Sequence, residues 1–205
     1  MPPVNPAMPF SFDGNAEDAQ RLKRLLQQSM QLLSLPPWQQ PNMLNVACGR
    51  ADETGVLLET LAWPDTAGFY LGMDLRPREI DEARRRWTHS WRPQGRVEFR
   101  VADASISQEW PSEPFDVIFL RHQNFWDAPA IWDQIFRHAL ARLKPSGRLF
   151  LTSYFDREHE LALAALKSLG GHLCLNMRHA LSRPLADAPG KSVDRWLALF
   201  QHPTN

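Results

Sequence analysis

Hydrophobic positions along the chain recur with two periods, one typical of helices and one typical of buried strands. The first helical stretch spans about residues 15–35, and Pro36 and Pro37 end it. Its apolar positions recur at helical spacing: Leu22, Leu25, Leu26, Met30 and Leu33. Short apolar runs then alternate with helical stretches at the rhythm of βαβ units. The pattern predicts a doubly wound α/β fold.

Five strands of a parallel sheet are predicted, at residues 43–47, 69–73, 97–101, 115–120 and 148–154. The fourth of these is apolar enough to be buried on both faces, which is typical of a central strand. Helices are predicted from about 52 and at about 77–87, 128–143 and 158–169. The third of these helices is expected to turn four side chains inward: Ile131, Ile135, Leu140 and Leu143.

The C-terminal sequence predicts antiparallel strand pairing, unlike the parallel pairing of the first five strands. Residues 172–177 and 195–202 look like two strands joined by a loop rich in Pro and Gly, which indicates an antiparallel hairpin. The full prediction is a mostly parallel seven-stranded sheet with a C-terminal antiparallel hairpin and helices on both faces. Residues 1–14 are expected to form a flexible leader. Residues 15–205 are expected to form one domain, with an N-terminal helix at 15–36 and a core at 43–205.

Composition limits the partners that this domain is expected to have. Lys plus Arg number 23 and Asp plus Glu number 23, so no overall field favours nucleic acid or an anionic membrane. Cys48 and Cys174 form no CxxC pair and have no His at zinc-finger spacing, so we expect neither a disulfide framework nor a metal site. The N-terminus shows no signal peptide or membrane anchor. A cytoplasmic location is therefore expected.

The loop after the first strand carries the first candidate for chemistry, because open α/β sheets bind ligands beyond the carboxyl ends of their strands. Its sequence is Asn45-Val46-Ala47-Cys48-Gly49-Arg50-Ala51. Small residues at alternate positions allow a ligand to approach the backbone. The stretch resembles the first motif of class I S-adenosylmethionine-dependent methyltransferases, an acidic residue followed by three alternate glycines. Only the middle glycine is kept here, as Gly49, and the acidic position is Asn45.

The resemblance implies that this loop binds S-adenosylmethionine through Ala47, Cys48 and Gly49. It also implies that Asn45 accepts a hydrogen bond from the methionine ammonium without countering its charge. The alternative is an ordinary tight turn between a strand and a helix.

Two further acidic residues follow predicted strands. The resemblance implies that Asp74, with Leu75 beside it, accepts hydrogen bonds from two ribose hydroxyls; the alternative is a helix cap before Pro77. It implies that Asp103 and the backbone amide of Ala104 contact the adenine amino group. The alternative for Asp103 is an Asx turn.

The loop after the fourth strand, residues 121–127, faces the transferred methyl group in the resembling enzymes. His122 is the candidate general base, because an unperturbed imidazole has a pKa of about 6.5. Its alternative is a hydrogen-bonded loop histidine. Arg121 is expected to contact the cofactor or to orient a carboxylate. The loop lacks the Asp/Asn-Pro-Pro-Tyr/Phe pattern of amino-directed nucleic-acid methyltransferases.

A fourth likeness lies before the fifth strand, where Lys144-Pro145-Ser146-Gly147 resembles the lysine-proline-glycine-glycine turn of the same family. Pro145 is expected to stop the preceding helix, and Gly147 to turn the chain with a positive φ. The motifs follow one another in the family's order between about Leu44 and Phe155.

The chain is therefore interpreted as a methyltransferase that acts on a small molecule, since little inserted sequence is present to bind a larger one. Two alternatives stay open: a non-catalytic binding or partner subunit with the same fold, and an RNA or protein methyltransferase that needs a partner. Arg84 to Arg86 are the candidate RNA contact, although intervening acidic residues favour a solvated helix face. A nicotinamide dehydrogenase is disfavoured, because Gly49 lacks glycines at the required spacing. No oligomeric state follows from the sequence.

Overall fold

The computed structural model describes residues 13–62, 68–87 and 95–202. Its main sheet has seven strands in the order β3-β2-β1-β4-β5-β9-β6. The strands of this sheet are β1 (Asn42–Val46), β2 (Phe69–Asp74), β3 (Arg96–Val101), β4 (Phe115–Arg121), β5 (Leu143–Ser153), β6 (His172–Arg178) and β9 (Trp196–Gln201). A separate two-stranded ribbon pairs β7 (Arg183–Pro184) with β8 (Ser192–Val193) in the loop between β6 and β9.

Strands β1 to β5 run parallel to one another, and β9 lies antiparallel between β5 and β6. The predicted sheet with its antiparallel C-terminal hairpin is therefore confirmed. Strand order reverses at β1, which has β2 on one side and β4 on the other. The loops that follow β1 and β4 diverge at this point and leave a crevice between them.

Helices cover both faces of the sheet, as predicted. They are α1 (Asp13–Leu32), α2 (Thr54–Leu61), α3 (Pro77–Trp87), α4 (Pro129–Ala141) and α5 (Asp156–Ser168). One core cluster joins α1, α2 and α3 to the face of β4 that carries Val117 and Phe119. The other joins α4 and α5 to the face that carries Ile118 and Leu120. This strict alternation explains why β4 reads as apolar throughout.

One prediction about helices is corrected by the structure, and one stays open. Helix α1 begins at Asp13, two residues before its predicted start, and residues 1–12 lie outside the described residues, so the flexible leader stays a prediction. Ile131 was expected to face inward but is 51% exposed. The buried stripe of α4 begins one turn later, at Ile135, and in the first turn Trp132 rather than Ile131 packs against the core.

The turn expected at residues 144–147 is part of β5, and its glycine has a different role from the one predicted. Pairing with β4 jumps from Phe115 opposite Leu143 to Val117 opposite Arg148, so the extra residues form a bulge in an extended strand. Gly147 does not have a positive φ. A Cβ atom there would lie 2.8 Å from the carbonyl oxygen of Phe115. Close approach of two backbones, and not a left-handed turn, therefore requires this glycine.

Within the described part of the chain, no helix is both long and apolar enough to cross a membrane.

Candidate functional site

A cavity of about 510 Å³ lies at the carboxyl ends of β1 and β4, where the strand order reverses. The loops after these two strands form its floor. Asp18 and Ala19 on α1, with Arg183, Leu185 and Val193 from the β7–β8 ribbon, line the opposite side. We call these two segments, α1 and residues 183–193, the cover. The structure thus brings together residues from both ends of the chain around the predicted ligand-binding edge.

The loop after β1 has an unusual backbone. Ala47, Gly49 and Ala51 all have left-handed φ angles, of 56°, 53° and 62°. This conformation is open to glycine but costs other residues about 1–2 kcal/mol. The backbone amide of Cys48 donates to the carbonyl of Met73 at 3.0 Å, which ties the loop to β2. The loop therefore curves as a glycine loop would, although two of its three special positions are alanine.

Asn45 lies beneath the cavity and is fully buried. Its Nδ2 donates to Oε1 of Glu53 at 2.5 Å and to the hydroxyl of Tyr70 at 3.0 Å. Glu53 lines the cavity itself, with 6% of its surface exposed. Burial raises the pKa of the Glu53 carboxyl. The charge of Arg121 and the hydrogen bond from Asn45 lower this pKa, but by less than burial raises it. Glu53 was not predicted as a site residue, because it lies eight residues past Asn45, the position where the resembling family has its acid.

Asp74 is held at the end of β2 by four hydrogen bonds. One oxygen accepts from the backbone amide of Gly49 at 2.8 Å and from Nη2 of Arg76 at 3.1 Å. The other accepts from the backbone amide and Nε of Arg76, both at 2.9 Å. Burial alone would raise the pKa of Asp74, but these bonds lower it. The Arg76 guanidinium thus covers the carboxylate on the side that faces the cavity.

The remaining predicted adenosine contacts lie outside the cavity. Oδ1 of Asp103 accepts from the backbone amide and hydroxyl of Ser105, at 2.9 and 2.7 Å, so the Asx turn is present. Leu75 follows Asp74 and is 64% exposed. Their contacts with a cofactor, like that of Ala104, stay predictions.

Arg121 enters the cavity from the end of β4 and is fixed by a buried carboxylate. Its Nε and Nη2 donate to the two oxygens of Asp194, at 3.0 and 2.7 Å, while Nη1 lies 3.5 Å from Glu53. Thr152 also donates to Asp194, at 2.9 Å. Burial opposes the charge on both partners, but their mutual attraction raises the pKa of Arg121 and lowers that of Asp194. Arg121 is therefore a fixed wall of the cavity.

His122 contacts the same aspartate. A protonated Nε2 donates to Oδ1 of Asp194, 2.8 Å away. An unprotonated Nε2 instead accepts from the backbone amide of Asp194 at 3.0 Å. The ring stacks on Tyr154, with centroids 3.7 Å apart. Burial lowers the pKa of His122, although Asp194 opposes the shift. Nδ1 is the ring nitrogen left for a ligand, and the neutral imidazole is the form present near pH 7.

Asp194 was not identified from the sequence. It lies between β8 and β9, 73 residues from its partner Arg121, and its own φ of 49° is left-handed. Asp tolerates this conformation better than most residues do. No local pattern in the sequence indicates such a contact.

An ion pair joins the two parts of the cover. Asp18 on α1 accepts from Nε and Nη2 of Arg183, at 2.9 and 2.5 Å, and from Arg21 at 3.0 Å. These contacts lower the pKa of Asp18 although its burial opposes the shift. The cover is thereby held over the cavity by a two-point contact.

The three arginines near the end of α3, Arg84 to Arg86, are engaged with groups of the chain itself. Arg84 donates to the carbonyl of Phe99 at 3.1 and 2.9 Å. Arg85 and Arg86 pair with Glu82 at 2.7 and 2.9 Å, and Arg86 also bonds to Asp52. This arrangement does not favour the RNA-contact alternative.

Comparisons with known proteins place these features in a family. Residues 43–147 match a family model described as a methyltransferase domain. No protein of curated function matches the sequence significantly. The N-methyltransferase NodS from Bradyrhizobium japonicum WM9 has a similar structure, with a TM-score of 0.66 and 17% identity over 95% of this chain and 100% of that chain.

Two further structures show the same fold. An S-adenosylmethionine-dependent methyltransferase from Clostridium acetobutylicum ATCC 824 has a TM-score of 0.67 and 12% identity, over 91% of this chain and 92% of that chain. A chain from the complex between the Haloferax volcanii Trm112 methyltransferase activator and a putative methyltransferase has a TM-score of 0.61 and 15% identity, over 97% and 99%. Since the family model spans half of the sequence and the sheet has the corresponding strand order, the chain belongs to the class I methyltransferase family.

Proposed function

We propose that this protein transfers a methyl group from S-adenosylmethionine to a small molecule, with His122 as the general base. The observation that carries the proposal is the covered cavity, in which the loop after β1 and the His122 ring line the same space. A bound methyl donor and an acceptor beside His122 would therefore meet there.

The residues present fit the proposed cofactor. At Gly49 a Cβ atom would meet only Nη2 of Arg76, at 3.4 Å, so the backbone is open to a ligand once that side chain moves. The Arg76 side chain is 61% exposed, so water can replace its bonds to Asp74 when a ligand displaces it. Asp74 then offers two acceptor positions to ribose hydroxyls. Leu75 and Ile106 are exposed apolar side chains beyond β2 and β3, suited to a purine.

The size and the cover of the cavity support a small acceptor. A volume of about 510 Å³ lies within the range of about 300–1,000 Å³ that is typical of small-molecule sites. The Asp18–Arg183 ion pair holds the cover across the opening. A folded protein or an RNA duplex would have to displace the cover before it reached His122.

When bound, the cofactor supplies a methyl group activated by the adjacent sulfonium charge, so in-line alignment is the main requirement. His122 removes the proton of an acceptor hydroxyl through Nδ1 in the tautomer that carries the ring proton on Nε2, beside the Asp194 carboxylate, and its lowered pKa keeps the ring neutral near pH 7. Tyr154 fixes the plane of the ring by stacking. The Asp194 carboxylate, 2.8 Å from Nε2, stabilises the imidazolium that forms.

Cofactor binding is the first test. Calorimetry with S-adenosylhomocysteine is expected to show a single site per chain. No binding at millimolar ligand would contradict the proposed cofactor.

Turnover is the second test. Methyl-labelled S-adenosylmethionine is incubated with a panel of small hydroxyl, amino and carboxyl compounds, and in parallel with total RNA and total protein. We expect labelled small-molecule product, and His122→Gln to lower kcat by about 10²–10⁴-fold while S-adenosylhomocysteine binds as before. His172→Gln, at an exposed position on β6, is the matched control and is expected to leave kcat unchanged. Labelling of RNA or protein alone would support the partner-dependent alternative, and binding without any turnover would support a non-catalytic subunit.

A further inference from the structure

We propose that Glu53, and not Asn45, supplies the carboxylate that binds the amino group of the cofactor, and that Asn45 serves to position Glu53. The inference rests on the proposed function, because it concerns an ammonium group of the ligand in the same cavity. It reverses the role that the sequence motif suggests for residue 45.

The first observation is that Asn45 does not reach the ligand space. Its side chain is fully buried and is not part of the cavity lining. Its Nδ2 donates to Glu53 and Tyr70, and its Oδ1 is buried without a hydrogen-bond partner. Glu53 is the residue that lines the cavity above it. The carboxylate that lines the cavity beside Asn45 is therefore that of Glu53, the residue that precedes α2 (Thr54–Leu61), and not one at the end of β1.

The second observation is that the charge of Glu53 is poorly compensated. Among the residues that the structure describes, its one ion pair is the contact of 3.5 Å with Arg121. Arg121 makes its two short bonds to Asp194 instead. Asn45 orients Oε1 of Glu53 but carries no charge, so the 3.5 Å contact of Oε2 with the shared Arg121 guanidinium is the cation contact that the structure describes for this carboxylate.

A buried carboxylate with so little compensation favours a cationic ligand. Taking a charge out of water costs several kcal/mol unless a partner of opposite sign accompanies it. The raised pKa of Glu53 reflects this cost. No group of three metal-ligating side chains occurs among the described residues, and one carboxylate beside a neutral amide suits an organic ammonium donating hydrogen bonds.

The test is a thermodynamic cycle that compares the affinities of two proteins for two ligands. Wild type and Glu53→Gln are each titrated calorimetrically with S-adenosylhomocysteine and with its deamino analogue, which keeps the adenosine and the carboxylate but lacks the amino group. In the wild type we expect the amino group to improve affinity by about 10–100-fold, as for a charged hydrogen-bonded pair. In Glu53→Gln we expect this ratio to fall to near 1, because only the shared contacts remain.

Two further variants guard against a purely structural effect. Glu59→Gln makes the same chemical change on α2, at a residue that pairs with Lys23 outside the cavity, and is expected to preserve the wild-type ratio. Glu53→Asp keeps the charge on a shorter side chain and is expected to give an intermediate ratio. It also supplies the comparison if Glu53→Gln does not fold.

Each outcome bears on one of the two proposals. A ratio that stays at the wild-type value in both Glu53 variants overturns the inference and leaves the proposed function standing. A wild type that binds both ligands equally also overturns it, because the amino group then has no charged partner. A wild type that binds neither ligand overturns the proposed cofactor and, with it, the role of Glu53.

Discussion

The left-handed backbone at Ala47 and Ala51 allows a direct test of the loop conformation by stability. Replacing either alanine with glycine removes the cost of a left-handed Cβ, about 1–2 kcal/mol. The same change lowers stability by about 0.5–1 kcal/mol, because glycine gains freedom in the unfolded chain. The two variants are expected to differ in stability because the methyl group of Ala47 is exposed and that of Ala51 is buried.

The Ala47 side chain is exposed to the cavity, so its loss removes little packing. We expect Ala47→Gly to raise the free energy of unfolding by about 0.5–1 kcal/mol, from the difference between these two effects. Ala51 is only 2% exposed and belongs to a core cluster. Loss of its methyl group costs about 0.8 kcal/mol more, so Ala51→Gly is expected to be near neutral.

Urea denaturation of the ligand-free protein measures these differences, and thermal unfolding should show an increase in Tm of about 1–4 °C for Ala47→Gly. Ala164→Gly, at an exposed position within α5, is the control. It is expected to destabilise by about 1 kcal/mol, because glycine is unfavourable in a helix. If Ala47→Gly destabilises the protein as Ala164→Gly does, residue 47 is not left-handed in solution and the reasoning is wrong.

Three other predictions follow from single contacts. Arg76→Ala is expected to tighten S-adenosylhomocysteine binding by about 2–5-fold in calorimetry, since ribose hydroxyls no longer compete with the exposed Arg76 guanidinium for the buried Asp74 carboxylate. Weaker binding would mean that Arg76 holds the ligand. Gly147→Ala is expected to lower the free energy of unfolding by about 1–3 kcal/mol, measured in urea, because its Cβ would lie 2.8 Å from the carbonyl oxygen of Phe115; an unchanged value would refute the close approach. Burial raises the pKa of Glu158 from 4.5 to about 7, so the folded state holds its proton more tightly and stability falls as pH rises through this window. Glu158→Gln is expected to remove that fall, which amounts to up to about 3 kcal/mol between pH 5 and pH 8. If the free energy of unfolding of the variant, measured in urea, falls as steeply with pH as that of the wild type, Glu158 is not the cause.

The sheet was largely predictable from the sequence because each strand carries its own local signal. A run such as Phe115 to Leu120, which is mostly apolar on both faces, predicts a buried strand without any knowledge of its neighbours. Prolines and glycines indicate where the elements end. Gly147 shows the limit of such signals. A glycine satisfies either a positive φ or a close approach of backbones, and only the register between β4 and β5 shows which applies.

The candidate site was predictable in part, for a similar reason. The loops after β1 and β4 follow from the rule that ligands bind at the reversal of strand order. Glu53, Asp194 and Asp18 were missed because their roles depend on partners that are distant along the chain or lie on a different element. Asp194 meets Arg121 across 73 residues, and Asp18 meets Arg183 across 165. The local sequence pattern around each residue does not indicate either contact.

The position of β9 between β5 and β6 also sets an order of events during synthesis. The ribosome makes β6 before β9, yet β6 has no place in the sheet until β9 pairs with β5. Until then, β5 and β6 each present an unpaired edge on which a neighbouring nascent chain could add a strand. The interval between synthesis of β6 and pairing of β9 is thus a stage at which unpaired strand edges are open to aggregation.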